Sequence, residues 1–114
     1  MAALKRAAPI FPVQDLDASL EFYSRLGFAT RAYAGGGYGF AEVDGVEFHL
    51  GTTSQSPFAP ASAYVFVDDA DEIARRWHAT GADVRMPEDT EWGQHEGVLI
   101  DPDGNIIRFG SPIR

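Results

Sequence analysis

His49 is the residue best suited to chemistry in this chain, because an imidazole can ligate a metal, carry a proton or bond a carboxylate. Glu47 precedes it by two residues and shares its face if the segment is a strand. Asp44-Gly45 is a strong two-residue hairpin signal, and that turn pairs Glu42 with Glu47, Phe40 with His49 and Tyr38 with Gly51. One imidazole is short of the roughly three or four protein ligands that hold a divalent ion, although Glu42 and Glu47 could complete an atypical site. Without a metal, His49 is either a neutral histidine bonded to a carboxylate or a group that orients a ligand.

Arg108 donates hydrogen bonds but never ligates, and pairing with Glu47 or Glu42 would satisfy its charge. Trp92 lies outside any helical period, beside Gly93 and after the acidic stretch Pro87-Glu88-Asp89, which suits stacking on a ligand. Trp77 shares helical spacing with Ile73 and Ala74 and reads as core. Other chemistries find no footing. There is no cysteine for thiolate or disulfide chemistry, and no Gly-x-Ser-x-Gly elbow. His78 and His95 lack ligand spacing, and Gly35-Gly36-Gly37 joins two strands rather than opening a phosphate-binding helix.

Nine Lys and Arg against 17 Asp and Glu give a formal charge of −8, which disfavours nucleic acid and anionic membranes and favours cationic or neutral ligands. Lys5 and Arg6 precede an apolar run broken by Pro9 and Pro12, so neither a signal peptide nor a membrane span is expected. A cytoplasmic location fits this and the lack of cysteine.

The elements that position these residues come from a repeat. Offset by 54 residues, Val13 to Asp17 falls on Val67 to Asp71, Tyr23 on Trp77, Gly27 on Gly81 and Arg31 on Arg85. The first half reads as a strand at 7–13, a helix at 16–26 capped by Asp15, and strands at 28–34, 38–43 and 46–52. A Ser/Thr/Pro-rich linker covers 53–61. A strand at 62–67, a helix at 70–80 and strands at about 82–86, 95–100 and 105–110 follow. Residues 1–114 are expected to be one α+β domain of two βαβββ repeats, about 1–52 and 62–114, forming a curved mixed sheet around a concave cavity. A four-residue turn at Asp101-Pro102-Asp103-Gly104 pairs Leu99 with Ile106 and Gly97 with Arg108. The expected lining is Tyr38, Phe40, Glu42, Glu47, His49, Ser62, Tyr64, Phe66, Gly97 and Arg108.

Several segments together resemble the vicinal oxygen chelate superfamily of glyoxalases, extradiol dioxygenases and fosfomycin- and bleomycin-resistance proteins. They are Asp15-Leu16-Asp17, Phe22-Tyr23-Ser24-Arg25-Leu26-Gly27-Phe28, Val67-Asp68-Asp69 and Asp101-Pro102-Asp103-Gly104-Asn105. The metal slots of its enzymes match Ala8, His49, Ser62 and Arg108, of which His49 alone could ligate. Glu91-Trp92-Gly93-Gln94 is similar to the Pro-Trp-Gly-Arg segment of bleomycin-resistance proteins, with Glu91 and Gln94 departing from it. Pro9 matches the proline with which that family hooks its first strand onto a partner.

The resemblance implies a cytoplasmic, metal-independent homodimer, with no cofactor, that sequesters a cationic bleomycin-type glycopeptide without modifying it. Its implied ligand contacts are Tyr38, Phe40, Glu42, Glu47, His49, Ser62, Tyr64, Phe66, Trp92 and Arg108. The alternatives are a lyase or dioxygenase with an atypical metal at His49, and a module binding another aromatic small molecule.

Overall fold

The computed structural model describes residues 2–52 and 59–114, so most of the expected linker lies outside the described residues. The first repeat comprises β1 (Ile10–Val13), α1 (Leu16–Leu26), β2 (Ala29–Ala32), β3 (Tyr38–Val43) and β4 (Val46–Thr52). The second comprises β5 (Ser62–Phe66), α2 (Ala70–His78), β6 (Asp83–Asp89), β7 (Gln94–Ile100) and β8 (Ile106–Pro112). The architecture is α+β, and each βαβββ repeat forms its own four-stranded mixed sheet rather than a share of one continuous sheet. The orders are β1-β4-β3-β2 and β5-β8-β7-β6, with the outer pairs β1·β4 and β5·β8 parallel.

The two helices begin in the same way because the same residue type caps them. Asp15 accepts from the Ala18 N–H and Asp69 from the Glu72 N–H, each at 3.1 Å, satisfying donors that a helix start leaves free. Each helix covers one sheet face with apolar side chains: Tyr23 and Leu26 meet Phe11, Phe48 and Leu50, while Ala74 and Trp77 meet Leu99, Ile107 and Phe109. Trp77 is core as expected, its ring 5.0 Å from Phe109. Its indole N–H donates to the Leu26 carbonyl at 3.2 Å and so joins the end of α1 to α2. Among the described residues no helix is long and apolar enough to cross a membrane.

The second hairpin departs from the expected register. Asp101 accepts from the backbone N–H groups of Asp103 and Asn105, and from the Asn105 amide, at 2.8–2.9 Å. Asn105 is thereby drawn into the turn, β8 starts at Ile106, and every pair shifts by one: Ile100 faces Ile106, Val98 faces Arg108 and Gly97 faces Phe109. Gly97 therefore points toward the helix and not into the expected lining. Its missing side chain makes room there, since a Cβ would come within 2.5 Å of the Phe109 ring. Glu96 and Val98 take the face that Gly97 was expected to occupy.

Candidate functional site

The face of each sheet turned away from its helix carries the polar and aromatic residues. On the first sheet the expected register holds: Tyr38 faces Gly51, Phe40 faces His49 and Glu42 faces Glu47. Tyr38, Phe40 and His49 form a cluster of edge-to-face rings with centroids 5.0–5.6 Å apart. The Tyr38 hydroxyl lies 2.8 Å from His49 Nδ1, and Glu47 Oε2 lies 2.9 Å from His49 Nε2. Arg6 reaches the same Glu47 oxygen at 2.5 Å. The hydrogen bond from His49, then that from Arg6, holds the Glu47 carboxyl below the usual carboxylate range. Both nitrogens of His49 are thus engaged, and the Arg31 guanidinium sits 3.9 Å over the Phe40 ring.

On the second sheet Ser62, Tyr64 and Phe66 alternate along β5, with Tyr64 beside Arg108 and Phe66 beside Gly110. The rings of Tyr64 and Phe66 lie 5.0 Å apart. The absence of a side chain at Gly110 admits the Tyr64 hydroxyl, which a Cβ there would strike. Burial, and then the neighbouring Glu96 carboxylate, pushes the Tyr64 hydroxyl up to about 12. Arg108 pairs with neither Glu42 nor Glu47. Its partner is Glu96, at 3.6 Å, because the shifted register of β7 brings Glu96 to its face. The sequence reading missed Glu96 for the reason it placed Gly97 wrongly. The signal lay in Asn105, whose amide lengthens the turn.

Trp92 caps the turn between β6 and β7 and is 67% exposed. The turn is closed by Thr90, whose hydroxyl donates to the Gln94 carbonyl at 2.8 Å and whose N–H donates to the same oxygen at 2.9 Å. Below it His95 bonds Asp89 and Asp71, each at 2.8 Å, tying β7 to the end of β6 and the start of α2. The Pro9 carbonyl accepts from the His49 N–H at 2.9 Å, extending the β1·β4 pairing within the chain. Among the described residues, no hydrogen bond or aromatic contact joins the outer-face group of the first sheet to that of the second. Nor do any three His, Cys, Asp or Glu residues there converge as a metal site would require.

Two mixed sheets from tandem βαβββ repeats, each backed by one helix, define the class, and the chain belongs to the Glyoxalase/Bleomycin resistance protein/Dioxygenase superfamily, whose family model matches residues 4–109. It is 29% identical over 113 residues to a bleomycin resistance protein of Klebsiella pneumoniae, covering 91% of this chain and 90% of that one. The structure is similar to that of a bleomycin resistance determinant encoded on the transposon Tn5, with a TM-score of 0.84 and 25% identity over 97% of this chain and all of that one. It is also similar to TnmS3, an antibiotic-binding protein from Streptomyces sp. CB03234, with a TM-score of 0.77 and 25% identity over 99% of this chain and all of that one.

Proposed function

We propose that the protein sequesters a bleomycin-type cationic glycopeptide antibiotic and leaves it chemically unchanged. The observation that carries this reading is the character of the two outer faces, which combine aromatic rings with carboxylates. Phe66 is 76% exposed, Trp92 67% and Ile10 57%, and apolar surface of this kind marks a face that binds something. The likeness to a bleomycin resistance protein, and to a second protein that binds an antibiotic, supports an antibiotic as the ligand.

In this reading the protein is a cytoplasmic homodimer, with the arm before Pro9 engaging the partner and the two repeats of each chain acting as one domain. The outer face of the first sheet in one chain curves toward that of the second sheet in its partner and encloses a concave cleft. Tyr38, Phe40, Tyr64, Phe66 and Trp92 stack on the flat heteroaromatic part of the drug, each aromatic pair contributing about 0.5–1.5 kcal/mol beyond area burial. Ser62 and Arg108 orient polar groups, while His49, bonded at both ring nitrogens, holds the Tyr38 hydroxyl and Glu47 in place. Glu42 has no cationic partner among the described residues and is better placed than Glu47, already held by Arg6, to attract a cationic tail.

Titrating the protein with bleomycin should quench its tryptophan fluorescence to saturation. The metal-enzyme alternative has the Glu47–His49 contact in its favour, but that contact and the Tyr38 hydroxyl occupy both ring nitrogens. Elemental analysis of protein purified without chelator separates the two. Stoichiometric metal, lost on His49→Ala, would replace the sequestration reading with an enzymatic one.

A further inference from the structure

On the outer face of the first sheet, the aromatic cluster is topped by a cation of the chain itself. Arg31 stands on β2, the edge strand, directly across from Phe40, and its guanidinium lies 3.9 Å from the centre of the Phe40 ring. Tyr38 and His49 fix that ring in place, at centroid separations of 5.6 and 5.0 Å. Six of the nine Lys and Arg side chains pair with a carboxylate, and Lys5 and Arg114 lie at the chain ends. Arg31 pairs with none, although all 17 acidic residues are among the described ones and Glu42 stands on the same face two residues along β3 from Phe40. An arginine that stacks on a ring in preference to a nearby carboxylate is placed for its planar face as much as for its charge. Phe40 takes one side of that plane, and Arg31 is exposed on the other. Tyr33 follows two residues on, its N–H donating to the Tyr38 carbonyl at 2.7 Å, so alternation sets it on the same face beside Arg31. It is 56% exposed, and its ring leans over Gly35, where a Cβ would strike it. Neither Arg31 nor Tyr33 figured in the lining expected from the sequence.

We infer that the exposed face of Arg31, seated on Phe40 and flanked by Tyr33, is the platform on which the first sheet takes a flat, electron-rich, uncharged aromatic ring of the ligand. The stack then runs ring, guanidinium, ring, with Phe40 at its base. A guanidinium is more weakly hydrated than an ammonium and attracts the negative face of a ring on either side, so a second ring adds to the first. A protonated ring is repelled there. This deepens the antibiotic-binding reading and rests on it for which molecule carries the ring, but the platform itself needs only a ring.

The test follows the Arg31 Nε–H proton by nuclear magnetic resonance. A ring stacked on the guanidinium face shifts this proton upfield, whereas an acceptor bonded at the guanidinium edge shifts it downfield. Titration with bleomycin, and separately with 2-naphthol, should move it upfield to saturation. The wild-type protein should bind 2-naphthol roughly three- to thirtyfold more tightly than its saturated counterpart, decahydro-2-naphthol, as a cation–π contact allows. Arg31→Lys keeps a cation over Phe40 without the planar face and should reduce that preference. Arg31→Ser should abolish it, with the backbone amide resonances of β3 and β4 retained as a check on the fold. If 2-naphthol gives the upfield shift and bleomycin does not bind, the platform stands and the drug assignment falls. The platform is overturned if 2-naphthol leaves the proton unmoved or moves it downfield, or if Arg31→Ser keeps the wild-type preference. It is overturned equally if bleomycin saturates the protein without moving the proton, which leaves the drug assignment standing and places the ring elsewhere.

Discussion

At the scale of single residues, the outer faces separate groups already satisfied within the chain from groups left open. His49 is closed on both sides by Tyr38 and Glu47, whereas Trp92 projects from its turn with most of its surface free. Trp92→Ala should therefore weaken bleomycin binding by about tenfold or more and remove most of the fluorescence quench, with melting unchanged. Equal affinity in calorimetric titrations of variant and wild type would contradict this. His95 makes a separate prediction. The hydrogen bonds to Asp71 and then Asp89 raise its pKa above the usual 6.5, because only an imidazolium donates from both nitrogens. A raised folded pKa stabilises the protein fully below the unfolded value, and the gain is lost as pH rises through the folded one. The melting-temperature gap between wild type and His95→Gln should thus be wider near about pH 6 than near about pH 9. The contact of His49 with Glu47 was legible in the sequence, since residues two apart on a strand share a face. The two bonds of His95 were not, because they depend on how α2 and the end of β6 lie over β7.

At the scale of elements, short-range signals carried most of the fold. The Asp caps and apolar periods place α1 at the residues read from the sequence, and Asp44-Gly45 sets the β3·β4 register. The turn after β7 was misread because its length is set by side-chain bonds rather than by glycine. Asn105 is fully buried, donates to the Pro12 carbonyl at 2.9 Å and accepts from the Ala61 N–H at 2.8 Å. Asp101, which it also bonds, accepts from the Tyr23 hydroxyl of α1 at 2.9 Å. One turn of the second repeat thereby holds β1 and α1 of the first. Asn105→Ala leaves buried groups on both sides unpartnered and should cost about 2–4 kcal/mol in urea unfolding. Tyr23→Phe removes a single bond and should cost about 1 kcal/mol. An Asn105→Ala midpoint equal to that of the wild type would show that the turn does not join the repeats.

At the scale of the whole molecule, each chain presents two outer faces of aromatic and polar side chains, with no hydrogen bond or aromatic contact between them among the described residues. The repeat and the acidic balance were visible in the sequence. How two such faces come together was not, because a repeat specifies the strand order of each half and not its partner. Sedimentation at the concentrations used for binding should give twice the chain mass of 12.4 kDa, and a monomer would rule out a cleft shared between chains. The central claim is sequestration, and the most direct measurement of it is calorimetric titration with bleomycin followed by mass spectrometry of the released drug. The account predicts saturable binding of one drug per chain and recovery of the drug at its original mass. A chemically altered drug, or no saturable binding, would contradict it.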